Sequence, residues 1–210
     1  VFVRNPYFHR VDKAGRQLPY IDRIVANITD GKLIPAKAGT GDADIQARDL
    51  RFDNYTFLKE NAKRNHYRVL LWAKGIGAQV ALYPNLNVED PVWRTLMRDL
   101  RFRRALSLGI NRHEINEAVY FGLAKESSNT VLQRSPLFRP EFRTAWTKYD
   151  IKAANALLDS IGLTKRDPRG LRLLPDGRPM EIVIDTAGES TEETDVLELV
   201  RDSWRKLGIA

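Results

Sequence analysis

The chain has 210 residues, of which 43% are apolar and 29% charged, and its net charge is +7. This length suits one domain or one and a half with a sizeable core, and the balance of apolar and charged residues is that of a globular protein. Absent cysteines exclude disulfides, thiolate metal sites and a cysteine nucleophile, no apolar run is long enough to span a bilayer, and charges scattered in mixed sign read as a solvated basic surface, not a nucleic-acid face.

Residues 1–3 are extended, and Arg4, Asn5 and Pro6 form a turn. The first ten residues lack the basic start, apolar middle and small-residue cleavage site of a secretory signal. With no initiator Met and a strand-like Val-Phe-Val start, the chain reads as a segment excised from a longer protein. After a polar loop at 11–17, Ile21, Ile24, Val25 and Ile28 predict a strand from their β-branched side chains. Residues 33–38 predict a short helix broken by Gly39 and Gly41. No Gly-Lys-Ser/Thr follows these glycines, so they mark a turn and not a phosphate loop. Tyr55, Phe57, Leu58 and Ala62 suit an amphipathic helix, and 67–73 (YRVLLWA) suits a buried strand. Gly75 and Gly77 separate it from a second strand over 78–87, either paired with it as a hairpin or simply beside it.

In that second strand Val80, Leu82, Pro84 and Leu86 alternate with Ala81, Tyr83, Asn85 and Asn87. Period-two alternation puts the apolar series towards the core and Tyr83, Asn85 and Asn87 together on the opposite face. Asp90 followed by Pro91 starts a helix, with Asp as N-cap and Pro where no hydrogen bond is lost. Trp93, Leu96, Met97 and Leu100 form its stripe. A second helix carries Ala105, Leu106 and Ile110. A third starts at Asn111, where Glu114 completes a capping box, buries Ile115, Ala118 and Val119, and stops at Gly122. Residues 124–146 lack periodicity, yet Leu137, Phe138, Phe142 and Trp146 imply packing. A helix with Ala153, Ala154, Leu157, Leu158 and Ile161 on one face follows, then turn signals over 167–177, a strand through Met180, Ile182 and Ile184, and a helix over 191–207. Strands and helices interspersed without a repeat predict a mixed α/β domain.

Several stretches, in this order, resemble one family. They are Asn5-Pro6-Tyr7 with Leu18 to Asp22, the Gly41 to Gln46 turn, the Asn-bearing strand, the run Asp99, Arg101, Arg103, Arg104, Ala105, Leu106, Ser107, Ile110, Asn111 and Arg112, the Lys152 to Gly162 helix, and the Pro175-Asp176-Gly177 hairpin. The pattern is similar to the bacterial extracellular solute-binding proteins of family 5, the peptide-, nickel- and oligosaccharide-binding components of ABC importers. The resemblance implies that residues 1–210 are a single α/β lobe, a mixed sheet flanked by helices, from a two-lobed periplasmic-binding-protein architecture of the type II, flytrap kind, with termini near the interlobe crossings. It implies a monomer in the periplasm or at the extracellular face of the cytoplasmic membrane, passing an oligopeptide or oligosaccharide to a membrane permease. No cofactor and no nucleic acid enter this reading, and nickel is the least expected ligand because imidazole and soft ligands are few. A ligand-sensing domain of a transcriptional regulator, built on the same lobe, is the alternative; a basic nucleic-acid-binding module ranks third.

The expected ligand-binding residues are Tyr83, Asn85 and Asn87, because the family's corresponding strand leads polar residues to the interlobe cleft and Tyr with Asn offers an aromatic face, donors and acceptors. Trp72 and the strand-to-helix loop with Thr186 and Ser190 are secondary candidates. Trp93 and Trp204 fall on helical stripes and belong to the core, whereas Trp72 and Trp146 sit where an indole can stack on a ligand. Arg98, Arg101, Arg103 and Arg104 have two readings, an acidic-ligand site or a solvated helix face paired with Asp99. His113-Glu114 opens like a zinc-protease motif, but position 117 is Glu and the second His is missing. With no nucleophile elbow either, the residues make no case for an enzyme or a metal site.

Overall fold

The computed structural model describes residues 1–72, 75–188 and 191–210. They divide into two compact units, the first comprising Val1–Leu50 with Asn54–Val69 and the second Arg51–Asp53 with Leu70–Ala210.

In the first unit, β1 (Phe2–Val3) pairs antiparallel with β2 (Arg23–Ile24), Phe2 opposite Ile24. The loop between them is organised by Asp12. Its carboxylate accepts hydrogen bonds from the Tyr20 hydroxyl and from the backbone N–H groups of Arg16 and Ala14, and these hold its pKa at about 2. A 3-10 turn at Gly31–Leu33, capped by Asp30, leads into α1 (Ile34–Thr40), and α2 (Tyr55–Ala62) packs against it. The helix runs through Gly39, which the sequence marks as a breaker. A Cβ there would stand 2.6 Å from the Phe57 ring, so Gly39 lets the two helices approach, and Gly41, with φ of 82°, ends α1 instead.

The second unit holds the main core. Asp90 caps α3 (Pro91–Arg98), its Oδ1 accepting from Val92 N–H at 2.9 Å and Trp93 N–H at 3.1 Å, and Asp99 caps α4 (Leu100–Leu108). Asn111 caps α5 (Arg112–Tyr120), accepting from Glu114 N–H at 3.3 Å, while Glu114 reaches back to the Asn111 amide rather than to its backbone. The left-handed Phe121 and Gly122 end α5. A short α6 (Pro140–Thr144) interrupts the irregular segment, Asp150 caps α7 (Ile151–Ser160), and α8 (Thr191–Arg205) closes the unit. Phe102, Ala105, Leu158, Val200, Trp204, Leu207 and Ile209 belong to one continuous buried cluster, with α4 packed on α7. Ala118, expected in the buried face of α5, is exposed, and Asn116 is buried in its place.

Arg172 is 2% exposed, and this burial is fully compensated. Its guanidinium donates to Leu207 O at 2.8 Å, Asp159 Oδ1 at 2.6 Å, Asn155 Oδ1 at 2.6 Å and the Leu163 carbonyl. It thereby joins α7 to the segment after α8. There Ala210 N–H donates to Met180 O at 3.0 Å and Ile182 N–H to Ala210 O at 2.8 Å.

The α/β class holds, but helices dominate and sheet is sparse. The strand expected over 21–28 contracts to β2, and Ile28 is wholly exposed. The 67–73 strand is not formed among its described residues, residue 73 lying outside them; Leu70, Leu71 and Trp72 are exposed, not buried. Residues 78–87 carry no ladder bonds, with a bend at 79–80 and a turn at 86–87, so neither a hairpin nor a strand is formed there, and only Met180 to Ile182 of the 180–184 run are paired. A helix satisfies its backbone within its own turns. An extended segment becomes a strand only when a second one lies alongside, and among the described residues 67–72 and 78–87 show no such neighbour.

Candidate functional site

The second unit contains a groove of 340 Å³. Its floor is apolar, made by Val80 and Leu82 from the 78–84 segment, Ile110 and Ile115 around the start of α5, and Val200 and Trp204 of α8. The expected alternation is met only in part: Val80 and Leu82 pack against the core and Tyr83 is 80% exposed, but Ala81 of the opposite series is half-buried and lines the groove too, and Pro84 and Leu86, expected inward, are exposed where the chain turns. The Trp204 indole N–H donates to Leu106 O at 3.0 Å, so the floor keeps no unmet donor at that point.

The polar side of the groove is the strap 124–129, joined at its base by Arg112 and Asn116. Arg112 donates to Ser107 O at 2.9 Å, Ser107 Oγ at 2.9 Å and Thr147 O at 3.2 Å. Burial pushes its pKa down, and the nearby charge of Glu126 works the other way. The Tyr120 hydroxyl donates to Glu192 at 2.7 Å; burial first, and this hydrogen bond second, push its pKa far up, so it stays a neutral donor. The surface thus pairs an apolar floor with fixed donors, acceptors and charged side chains along one edge, which suits reversible binding of a solute with both apolar and polar faces.

The sequence-predicted residues are distributed around this groove unevenly. Tyr83 does not line it, but its exposed hydroxyl accepts from Asn129 Nδ2 at 3.0 Å, and Asn129 does line it. Asn85 is exposed and its Oδ1 accepts from Asn87 N–H at 3.0 Å, an Asx turn. Asn87 Oδ1 accepts from Arg98 at 2.8 Å. Trp72 is 77% exposed, and Thr186 is exposed with its Oγ1 accepting from Gly188 N–H at 3.0 Å. Ser190 lies outside the described residues. The structure links Tyr83 to the groove only through Asn129 and ties Asn85 to Asn87 within one turn.

The arginine run divides among local roles. Arg98 holds Leu86 O at 2.8 Å, Arg101 pairs with Asp99 at 2.7 Å, and Arg103 donates to Met97 O at 2.7 Å. The Arg104 guanidinium lies 4.2 Å from the centre of the half-exposed Trp146 ring. These are four separate attachments and not a convergent anion site. His113 contacts Glu126 at 3.2 Å, and among the described residues no three His, Asp or Glu side chains gather where a metal ion can sit.

Sequence reasoning missed Asn116 and Arg112. Both are polar residues beside apolar helix positions, and only the neighbouring chain that each hydrogen-bonds gives it a place indoors. No helix among the described residues is long and apolar enough to cross a membrane.

Comparison with known proteins adds a lineage to this geometry. The family model of bacterial extracellular solute-binding proteins, family 5 Middle, matches residues 1–210. A periplasmic alpha-galactoside-binding protein of Rhizobium meliloti is 25% identical over all of this chain and 32% of its own length. A solved oligopeptide-binding protein OppA is 40% identical with a TM-score of 0.67, covering 99% of this chain and 33% of that one. The periplasmic binding protein MelB of Agrobacterium fabrum, solved with stachyose, shares the fold with a TM-score of 0.74 at 20% identity, over 99% of this chain and 33% of its own. The chain spans about a third of the length of the curated relatives it matches.

Proposed function

The chain belongs to family 5 of the bacterial extracellular solute-binding proteins, and from that premise we propose that it is part of the solute-capturing component of an ABC importer, acting in the periplasm or at the outer face of the cytoplasmic membrane. In this reading residues 1–210 form a single α/β lobe of a monomeric two-lobed receptor, and the permease takes the solute from it with no chemistry performed on the ligand. A ligand held between two lobes stabilises their closed arrangement by as much as its affinities for the open and closed states differ.

The observation that carries this reading is the groove of 340 Å³ with an apolar floor and a polar strap linked to Tyr83. Relatives named for an alpha-galactoside and for oligopeptides support two ligand classes, an oligosaccharide and an oligopeptide. Tyr83, Asn85 and Asn87 are the proposed ligand contacts, supported by the bond from Asn129 of the strap to the Tyr83 hydroxyl, and Trp72, Thr186 and Ser190 are secondary candidates. Calorimetry with stachyose and with a pentapeptide pool tests the reading. We expect saturable binding of one class by the longer protein and much weaker binding by residues 1–210 alone, because a one-sided groove encloses less of the ligand. Binding of neither class by the longer protein overturns the reading, and equal submicromolar affinity in both overturns the two-lobed site. Asn85→Ala is expected to weaken binding more than it lowers stability without ligand; the reverse ranking makes Asn85 a structural residue.

A further inference from the structure

Asn116 is 9% exposed, in the middle of α5, where an amide has no water to satisfy it. Both its oxygen and its nitrogen are nonetheless hydrogen-bonded. Its Oδ1 accepts from Ala124 N–H at 2.9 Å and its Nδ2 donates to Ala124 O at 3.1 Å, so the side chain pairs with the backbone at the first residue of the strap as a neighbouring strand would. Its own carbonyl accepts from Gly122 N–H at 3.0 Å, which sets the turn out of α5. The main chain of residue 116 thus takes part in the helix exit, while its side chain fixes where the strap begins.

The far end of the strap is held by close approach. A Cβ on Gly77 would stand 2.3 Å from Thr130 O and 2.6 Å from Asn129 Oδ1, too close for any side chain to be accommodated without moving the strap. Between these ends, Ser128 N–H donates to Arg143 O at 2.8 Å and Ser128 Oγ to Ala145 O at 2.7 Å. Gly77 is exposed, yet its lack of a side chain is what lets Asn129 sit at the groove and meet Tyr83.

We propose that Asn116 and Gly77 are the positioning residues of the solute groove, setting the 124–129 strap from its two ends so that Ser127, Ser128 and Asn129 form the polar side that reads the solute. The inference rests on the groove being the solute site. Asn116 touches the strap and not the ligand, and its effect on binding passes through Ala124. Asn116→Asp keeps the acceptor for Ala124 N–H but replaces the donor to Ala124 O by a carboxylate oxygen, which repels that carbonyl.

The test uses the full-length protein and whichever of stachyose or the pentapeptide pool the wild type binds. Titration calorimetry of Asn116→Ala, Asn116→Asp and Gly77→Ala reads affinity and stoichiometry separately, and hydrogen exchange reads the amides of 124–129 without ligand. The expected result is a rise in Kd of tenfold or more in each variant with stoichiometry unchanged, and strap amides exchanging at least tenfold faster. A Kd within twofold of wild type beside faster exchange overturns the proposal, since the strap then moves without consequence for binding. A reduced stoichiometry at unchanged Kd also overturns it, because that is the mark of a merely structural defect. If Asn116→Ala does not fold, Asn116→Asp and Gly77→Ala decide the matter. A wild type that binds neither probe overturns the solute-site reading itself, and is told apart by the failure of the unmutated protein.

Discussion

The two units of this molecule are built from similar apolar content and use it differently. In the second, helices α3, α4, α5, α7 and α8 converge on a continuous cluster in which Phe102, Leu158 and Ile209 have no exposed surface. In the first, only Gly39 and Leu58 are buried among the described residues, and Tyr7, Ile28 and Ile45 stand out in solvent. A helix carries its hydrogen bonds with it, so a stripe of apolar side chains needs only another stripe to pack on. A strand needs a partner for its backbone as well as for its side chains, and apolar residues in extended segments stay exposed until both are supplied.

The contrast predicts a steep gradient of mutational cost. Phe102→Ala should lose about 4 kcal/mol, the transfer of a buried aromatic plus a cavity, measured by chemical denaturation; a loss below about 1 kcal/mol would mean the second unit is loosely packed. Arg172→Met should lose about 3 kcal/mol despite similar volume, because the carbonyls of Leu163 and Leu207 lose their donors. Asn111→Ala should lose about 1 kcal/mol by freeing the Glu114 N–H at the start of α5, and thermal unfolding without change places the helix start elsewhere. Ile28→Ser, in the first unit, should change stability by less than about 0.5 kcal/mol. A loss of more than about 1 kcal/mol there would break the comparison, since it would show that Ile28 is covered.

Acid sharpens the same contrast. The Asp90 carboxyl is held below the ordinary carboxylate range, first by the Trp93 N–H and then by Arg178, whose guanidinium lies 2.6 Å away. A depressed folded pKa means that the stabilisation is fully present above the unfolded value of about 3.9 and is lost as pH falls through the lower folded value. Asp90→Asn should therefore flatten the fall in melting temperature below about pH 4 for the second unit. An unchanged acid slope would show that the cap and the Arg178 pair contribute no pH dependence.

The helices were legible because their signals are local. Asp90-Pro91, Asn111 with Glu114, Gly122, and the stripes of 151–160 and 191–205 each name their own start, stop or buried face. Gly39 was misread because a glycine that breaks a helix and one that admits a neighbouring ring look alike in sequence. The candidate site was half legible: alternation picked out Val80 and Leu82 as packed inward and Tyr83 as outward, but it misplaced Ala81, Pro84 and Leu86, and Asn116, Arg112 and the strap carry no periodic signal.

By itself, then, the amino-acid sequence determined the family, the helices with their caps, and the inward packing of Val80 and Leu82, all of which depend on residues within a few positions of one another or on their order along the chain. Only the tertiary structure decided which extended segments found partners, that Arg172 and Asn116 are buried, and that residues 78–84, 124–129 and α8 enclose one groove. Each of those outcomes depends on backbone groups far apart in sequence meeting in space. A hydrogen bond between Asn116 and Ala124, or between Arg172 and Leu207, is written in neither residue alone.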